Sequence, residues 1–301
     1  MSEVVADWPR KTRELQNHHM DSRVWNDFAF RDGDVIVGTY GKSGTTWTQQ
    51  IVGQLIFQGD ESVPIHEISP WYDMRIIPPE VRQMVAAQTH RRVIKTHLPS
   101  DALVMSRKAK YIYVARDGRD VMWSMHNHHA GFKPQTYDMF NLTPGLVGDP
   151  LPQADPDIRR YFRTWLDNDG APFWSFWENT ASWWALRDQP NVKLVHFANL
   201  KADLAAQMAD IADFLDIEVP ADKWPSIVEH CTFDYMKAHA ERYAPMGGMP
   251  WENGADTFIN KGVNGRWRDV LSPADSLDYE TAAREKLGED CARWLMTGEG
   301  L

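Results

Sequence analysis

One lysine, Lys42, sits in a turn dense with glycine, Gly38-Thr39-Tyr40-Gly41-Lys42-Ser43-Gly44-Thr45-Thr46, which is the chemistry of anion binding. Gly38, Gly41 and Gly44 let the backbone bend sharply and bare its N–H groups, while Thr45 and Thr46 stand where a helix cap and first turn belong. Unpaired amides and the positive end of a helix dipole then point into the turn. Three further groups have useful chemistry. His97 is an imidazole that can take a proton. Arg116 and Ser124 pair a guanidinium with a hydroxyl, but at eight residues apart they grip one anion only if the intervening entry turn folds back. Residues 259–268, with Asn260, Lys261 and Gly262, form a second glycine-and-cation cluster.

The elements that must position these groups can be read from periodicity. The β-branched, uncharged run Val35 to Val37 predicts a strand buried on both faces. Residues 45–57 then predict a helix with Trp47, Ile51, Val52 and Leu55 on one face. Strands are predicted over 91–96, 110–115 and 192–197, and helices over 80–88, 157–166, 175–187, 203–215 and 273–296, with another entering after the turn at 117–120. Residues 59–79 and 241–258 are broken by Pro and Gly and read as loop; residues 130–153 read as a lid or insertion. Alternating strands and helices predict an α/β fold, one domain over residues 1–301 with a central parallel sheet flanked by helices. Ligands of such sheets sit beyond the carboxyl ends of strands, which puts His97 on the same edge as Lys42.

Composition narrows the partners. Lys and Arg total 32 against 42 Asp and Glu, a net charge of −10, which argues against a nucleic-acid or anionic-membrane surface and leaves any polyanion to a local basic site. The 2 cysteines, Cys231 and Cys291, suit a reducing compartment. Residues 1–25 are rich in charge and lack the apolar core of a secretory signal, and no later run has the length of a membrane span, so the expected location is cytoplasmic. His126, His128 and His129 do not share one helical face, so no metal site is expected. The 14 tryptophans are expected mostly in the core, including the cluster Trp174, Trp177, Trp183 and Trp184.

Gly41-Lys42-Ser43 matches the end of a Walker A loop, but Ile36 occupies the position of its first glycine. Tyr40-Gly41-Lys42-Ser43-Gly44-Thr45-Thr46-Trp47 instead resembles the 5′-phosphosulfate loop of the cytosolic sulfotransferases, a P-loop-like strand, turn and helix, with Gly41 in the usual proline position. The resemblance extends over about residues 34–267: Lys95-Thr96-His97-Leu98-Pro99 matches K-T-H-L-P, Val114-Ala115-Arg116 through Ser124 looks like the 3′-phosphate segment, and Lys261, Gly262, Gly265 and Trp267 match most of R-K-G-x-x-G-x-W. It implies 3′-phosphoadenosine 5′-phosphosulfate as donor co-substrate, with no metal. Lys42 and the amides of Ser43, Gly44, Thr45 and Thr46 would hold the phosphosulfate, Trp47 the adenine, and Arg116, Ser124 and Lys261 with Gly262 the 3′-phosphate. It also implies His97 as general base, Lys42 on the leaving phosphate, and Ser124 holding Lys42 away until the acceptor arrives.

Departures from the pattern are Asn260 for arginine, Phe197 for tyrosine and Cys231 for threonine; Phe233 keeps an aromatic ring. No dimer motif is recognisable, so no oligomeric state is expected from the resemblance. Trp71, Tyr72, Trp123, Met125, Phe132 and Phe140 are the expected lining of an apolar, aromatic acceptor pocket for a small hydroxyl or amine compound. Two rivals stay open: a nucleotide kinase or NTPase, which would need a full Walker A loop and a carboxylate for Mg²⁺, and a catalytically silent nucleotide-binding module.

Overall fold

The computed structural model describes residues 8–301; residues 1–7 of the segment read above as non-secretory lie outside it. Strands β1 (Asp34–Thr39), β2 (Val93–Thr96), β3 (Ala109–Ala115) and β4 (Val192–His196) form one 4-stranded parallel sheet in the order β2-β1-β3-β4. Among the described residues nine longer helices surround it: α1 (Thr45–Ile56), α2 (Pro79–Ala87), α3 (Gly118–Ala130), α4 (Pro134–Leu142), α5 (Ile158–Asp167), α6 (Phe176–Trp184), α7 (Leu204–Phe214), α8 (Pro273–Leu287) and α9 (Glu289–Thr297).

Every residue of β1 is buried, as a central parallel strand requires. Side chains alternate across the sheet. Val35 and Val37 therefore face one layer with Ile51, Val52 and Leu55 of α1 and Met208 and Ile211 of α7, while Ile36 joins Tyr111, Tyr113 and Trp183 in the other. Trp25, Trp165, Trp183 and Trp294 are among the largest fully buried side chains, in line with a tryptophan-rich core. Trp183 stacks on Tyr113 with ring centroids 5.3 Å apart, and a Cβ on Gly38 would stand 2.7 Å from its indole. Gly38 is thus a strand residue that makes room for a tryptophan, not part of the bend.

Several boundaries differ from expectation. Residues 130–153 contain α4, which Pro134 starts and which buries Tyr137 and Phe140, spaced to share one helical face. The last helix is two, broken at Gly288, whose φ of 77° interrupts the helical backbone. Strand β4 stops at His196, and Phe197 begins a short helix, Phe197–Ala202. Short helical turns, Ala240–Tyr243 and Ala255–Phe258, lie in the segment read as loop. Cys231 and Cys291 are free and buried. No helix among the described residues is long and apolar enough to cross a membrane.

Candidate active site

Beyond β1 the chain turns through Lys42, with φ 67°, and Gly44, with φ 114°, before α1 begins at Thr45. Gly44, not a threonine, is the N-cap, and no side chain caps the helix. A side chain at Gly44 is opposed twice, by its left-handed φ and by Phe197, 2.9 Å from where a Cβ would stand. The Thr45 hydroxyl turns inward and lies 2.6 Å from that of Thr39. The first amides of α1 are left for an external acceptor.

Thr39 also anchors His97. Its carbonyl oxygen lies 2.9 Å from His97 Nδ1 and its hydroxyl 3.0 Å away. A carbonyl can only accept, so Nδ1 carries the proton and Nε2 keeps a bare lone pair. Burial, then the nearby Lys95, hold the imidazole down to about 3, with a further lowering from Lys42. His97 is therefore neutral across the physiological range, its titration well below the ordinary histidine value of ~6.5. Beneath it, the buried Asp73 carboxylate accepts from Trp25 Nε1 at 2.8 Å, from Trp71 Nε1 at 2.5 Å and from the Thr96 hydroxyl, fixing the end of β2. Trp71 meets the His97 ring edge-on at 4.5 Å, and Asn179 donates to the His97 carbonyl at 3.0 Å.

The Lys42 ammonium lies 3.3 Å from His128 Nδ1 and 4.7 Å from the Phe258 ring centre. No carboxylate among the described residues forms an ion pair with Lys42 or with Arg116. Burial, reinforced by Arg116 and Lys95, brings Lys42 down to about 7. The Ser124 hydroxyl, expected to hold Lys42, makes no hydrogen bond among the described residues; His128, one turn further along the same face of α3, reaches the ammonium in its place because its side chain is longer. His126 bonds instead to the Asp155 carbonyl, and no group of at least 3 His, Cys, Asp or Glu side chains among the described residues converges as metal ligands.

A second cluster adjoins the turn. The Arg116 guanidinium lies 4.3 Å over the Phe197 ring, donates to Asn264 Oδ1 at 2.8 and 3.1 Å, and reaches the Lys42 carbonyl at 3.3 Å. Trp47 packs on the same Phe197 ring at 5.3 Å and donates to the Cys231 carbonyl at 2.6 Å. Asp120, in the first turn of α3, accepts the Gly265 amide at 2.8 Å and ties the glycine-and-cation loop to Arg116. Gly262, with φ 60°, packs against Phe233 so closely that a Cβ would overlap its ring, and Lys201 donates to its carbonyl. Asn260 and Lys261 are exposed. Arg266 lies 3.6 Å over Trp123 and donates to Asn260 Oδ1 at 3.4 Å, so a guanidinium stands beside the asparagine.

The structure thus gathers Lys42, Thr45 and His97 around Thr39, and Arg116, Phe197 and Trp47 beside them. Of the expected acceptor lining, Trp71, Phe132 and Phe140 surround the histidines near His97, but Tyr72 packs into the core against Trp25 and Phe28 at 4.9 Å, and Trp123 is covered by Arg266. Sequence reasoning missed Asp73, His128, Asn264 and Arg266. His128 carried a usable signal, its spacing of 4 from Ser124 on one helix, and Asn264 and Arg266 lay within the cluster already singled out; Asp73 carried none, since only the tertiary fold brings it in.

The Sulfotransferase domain family matches residues 32–290. A glycolipid sulfotransferase of Mycobacterium bovis (strain BCG / Pasteur 1173P2) is 30% identical over 301 residues, covering 92% of each chain. Sulfotransferase 2B1 of Homo sapiens is 28% identical over 265 residues, covering 85% of this chain and 67% of that one. Among solved structures, mouse sulfotransferase SULT7A1 complexed with PAP aligns with a TM-score of 0.68 at 21% identity over 91% of each chain. Retinol dehydratase in a complex with retinol and PAP aligns at 0.70 and 22% identity over 89% of this chain and 84% of that one. The two structures share the fold, and the family match spans both the Lys42 turn and the Arg116 cluster: this chain belongs to the sulfotransferase family, and its reaction is sulfuryl transfer.

Proposed function

We propose that the Lys42 turn and the Arg116 cluster are the two halves of one site for 3′-phosphoadenosine 5′-phosphosulfate, and that His97 is the base for a small aromatic or hydrophobic acceptor. One observation carries this reading. The part-buried Lys42 ammonium has no carboxylate partner among the described residues, lies next to an uncapped helix start, and is joined through the turn to a histidine with a bare Nε2. A cation partly withdrawn from water without a counter-charge is destabilised, and a bound anion relieves that.

In the bound state Lys42 and the amides of residues 43–46 hold the phosphosulfate, Trp47, Phe197 and Phe233 the adenosine, and Arg116, Ser124 and Lys261 with the Gly262 backbone the 3′-phosphate. The donor supplies an activated sulfuryl group: the acceptor oxygen bonds to sulfur as the sulfur bond to the 5′-phosphate oxygen breaks, and the electron pair leaves with the phosphate. His97 Nε2 takes the acceptor's proton. Lys42 and the α1 amides meet the charge that develops on the leaving oxygen. A histidine held at about 3 by burial and then by nearby lysines is a weak base in the free protein, and negative charge at the turn opposes the lysine part of that lowering and raises it. Arg266 replaces the cation missing at Asn260. The buried, free Cys231 and Cys291 support a cytoplasmic location.

The reading is tested by calorimetric titration with 3′-phosphoadenosine 5′-phosphate (PAP) and with ATP, each with and without Mg²⁺. PAP is expected to bind tightly and independently of Mg²⁺, and ATP more weakly. In the same experiment Arg266→Ala is expected to weaken PAP by about tenfold, as loss of a charge-assisted contact should, and Asn260→Arg to tighten it. Preference for Mg²⁺-ATP over PAP would restore the NTPase reading.

A further inference from the structure

Two adjacent histidines near His97 are locked into one pattern of protons. His18 Nε2 lies 2.7 Å from the Pro172 carbonyl oxygen, which can only accept, so the proton of neutral His18 is on Nε2 and its Nδ1 is bare. His19 Nδ1 makes a short contact with that bare nitrogen and must donate to it. His19 therefore presents Nε2 as an unprotonated acceptor, the same state that the Thr39 carbonyl imposes on His97. Burial keeps both members of the pair from taking up a second proton.

His19 is 4% exposed, and its Nε2 makes no hydrogen bond with any described residue. Its ring is stacked on Phe140 at 4.1 Å and on Trp71 at 5.9 Å. Trp71 is also the ring that meets His97, and Trp174 lies 5.9 Å from His97 and 6.2 Å from His19. Close by, His129 is stacked on Phe173, itself 5.2 Å from His19, and both nitrogens of His129 are sealed in without a partner among the described residues. Flat rings thus separate two bare imidazole acceptors, and unused hydrogen-bonding capacity is concentrated on the far side.

We infer that His19 determines acceptor specificity: its Nε2 accepts a hydrogen bond from a second hydroxyl of the acceptor while His97 Nε2 engages the hydroxyl that is sulfonated, so that the preferred acceptor is a flat aromatic diol. This rests on the reading of His97 as the base. An acceptor with one hydroxyl covers the lone pair of His19 without satisfying it, and a site built around a hydrogen bond discriminates strongly against the analogue that lacks it.

The test is calorimetric binding to the PAP complex of 2-naphthol and of 1,5-, 2,6- and 2,7-dihydroxynaphthalene. At least one diol is expected to bind about tenfold or more tightly than 2-naphthol. His19→Phe, which keeps a ring to stack, should erase that preference while PAP affinity stays unchanged, and His19→Gln, whose amide oxygen can accept, should restore part of it. Equal binding of diols and naphthol, binding of none of them, or a diol preference that survives His19→Phe would each overturn the inference. If His19→Phe loses PAP binding through misfolding, His18→Phe takes its place. Removing the nitrogen that fixes the His19 tautomer should reduce the same preference, and an unchanged preference there overturns the inference. A diol preference present without any turnover counts against His97 as base, and leaves the His19 contact standing.

Discussion

His97→Ala is expected to lower turnover by about 10²–10⁴-fold, the usual contribution of a positioned general base, while PAP binds as in the unaltered protein. The two readouts separate because His97 hangs from the Thr39 carbonyl at the end of β1, whereas the residues proposed to hold the nucleotide come from the turn, α1 and the Arg116 cluster. Single-turnover assays and PAP titration on the same preparation give both numbers. Retained turnover would remove His97 from the mechanism. Loss of PAP affinity together with turnover would instead mark His97 as a support of the turn. Since the free imidazole is already neutral above a pH of about 3, no acid limb near the ordinary histidine value is expected from this group in kcat/KM for the donor, which reports the nucleotide-free protein.

Lys42→Met keeps most of the aliphatic stem and removes the charge. It is expected to reduce turnover by about 10²–10³-fold, comparable to loss of a donor that stabilises developing negative charge, and to weaken PAP by about tenfold or more. The pH dependence has a definite sign. In the free protein Lys42 is depressed to about 7, so at pH 8 it is largely neutral, and an arriving anion draws a proton onto it. PAP binding at pH 8 should therefore take up a proton, measurable by calorimetry in two buffers of different ionisation enthalpy, and PAP affinity should fall as pH rises past about 7. Lys95, depressed to about 8, can contribute at the upper end, so Lys42→Met is the control: it should abolish most of the uptake at pH 8. In the absence of nucleotide the same depression means that the unfolded chain binds more protons than the folded one between about 7 and the ordinary lysine value, so stability from this group rises with pH across that window. Uptake undiminished in Lys42→Met would place the titrating group elsewhere.

Much of the architecture was legible because it depends on local pattern. The run Val35 to Val37 could only be a buried strand, and the spacing of Ile51, Val52 and Leu55 could only be a helix lying on it. The motif residues were legible for the same reason: Lys42, His97 and Arg116 each follow a strand, and a parallel sheet delivers strand ends to one edge. What escaped depends on which side chain arrives from a distance. Asp73 reaches the end of β2 from a segment readable only as loop, and the pairing of Asn264 with Arg116 spans 148 residues of sequence, although Asn264 lay in a cluster already singled out. The contact assigned to Ser124 belongs to His128 because helical geometry puts both on one face and side-chain length decides which reaches Lys42. Gly38 looked like a turn residue because glycine has two uses, and the one in force, room for Trp183, is invisible without the opposing layer. The depression of His97 and Lys42 was equally out of reach, since burial and neighbouring cations, not residue type, set it.

The most direct test follows the sulfuryl group itself. The protein is incubated with 3′-phosphoadenosine 5′-phosphosulfate labelled with radioactive sulfur and with 2-naphthol or a dihydroxynaphthalene, in the presence of EDTA. The expected result is label in the aryl sulfate with an equal amount of PAP, requiring the acceptor, and reduced to near background by Lys42→Met. Label found only in inorganic sulfate whatever the acceptor, or transfer that proceeds unchanged in Lys42→Met, would contradict the account.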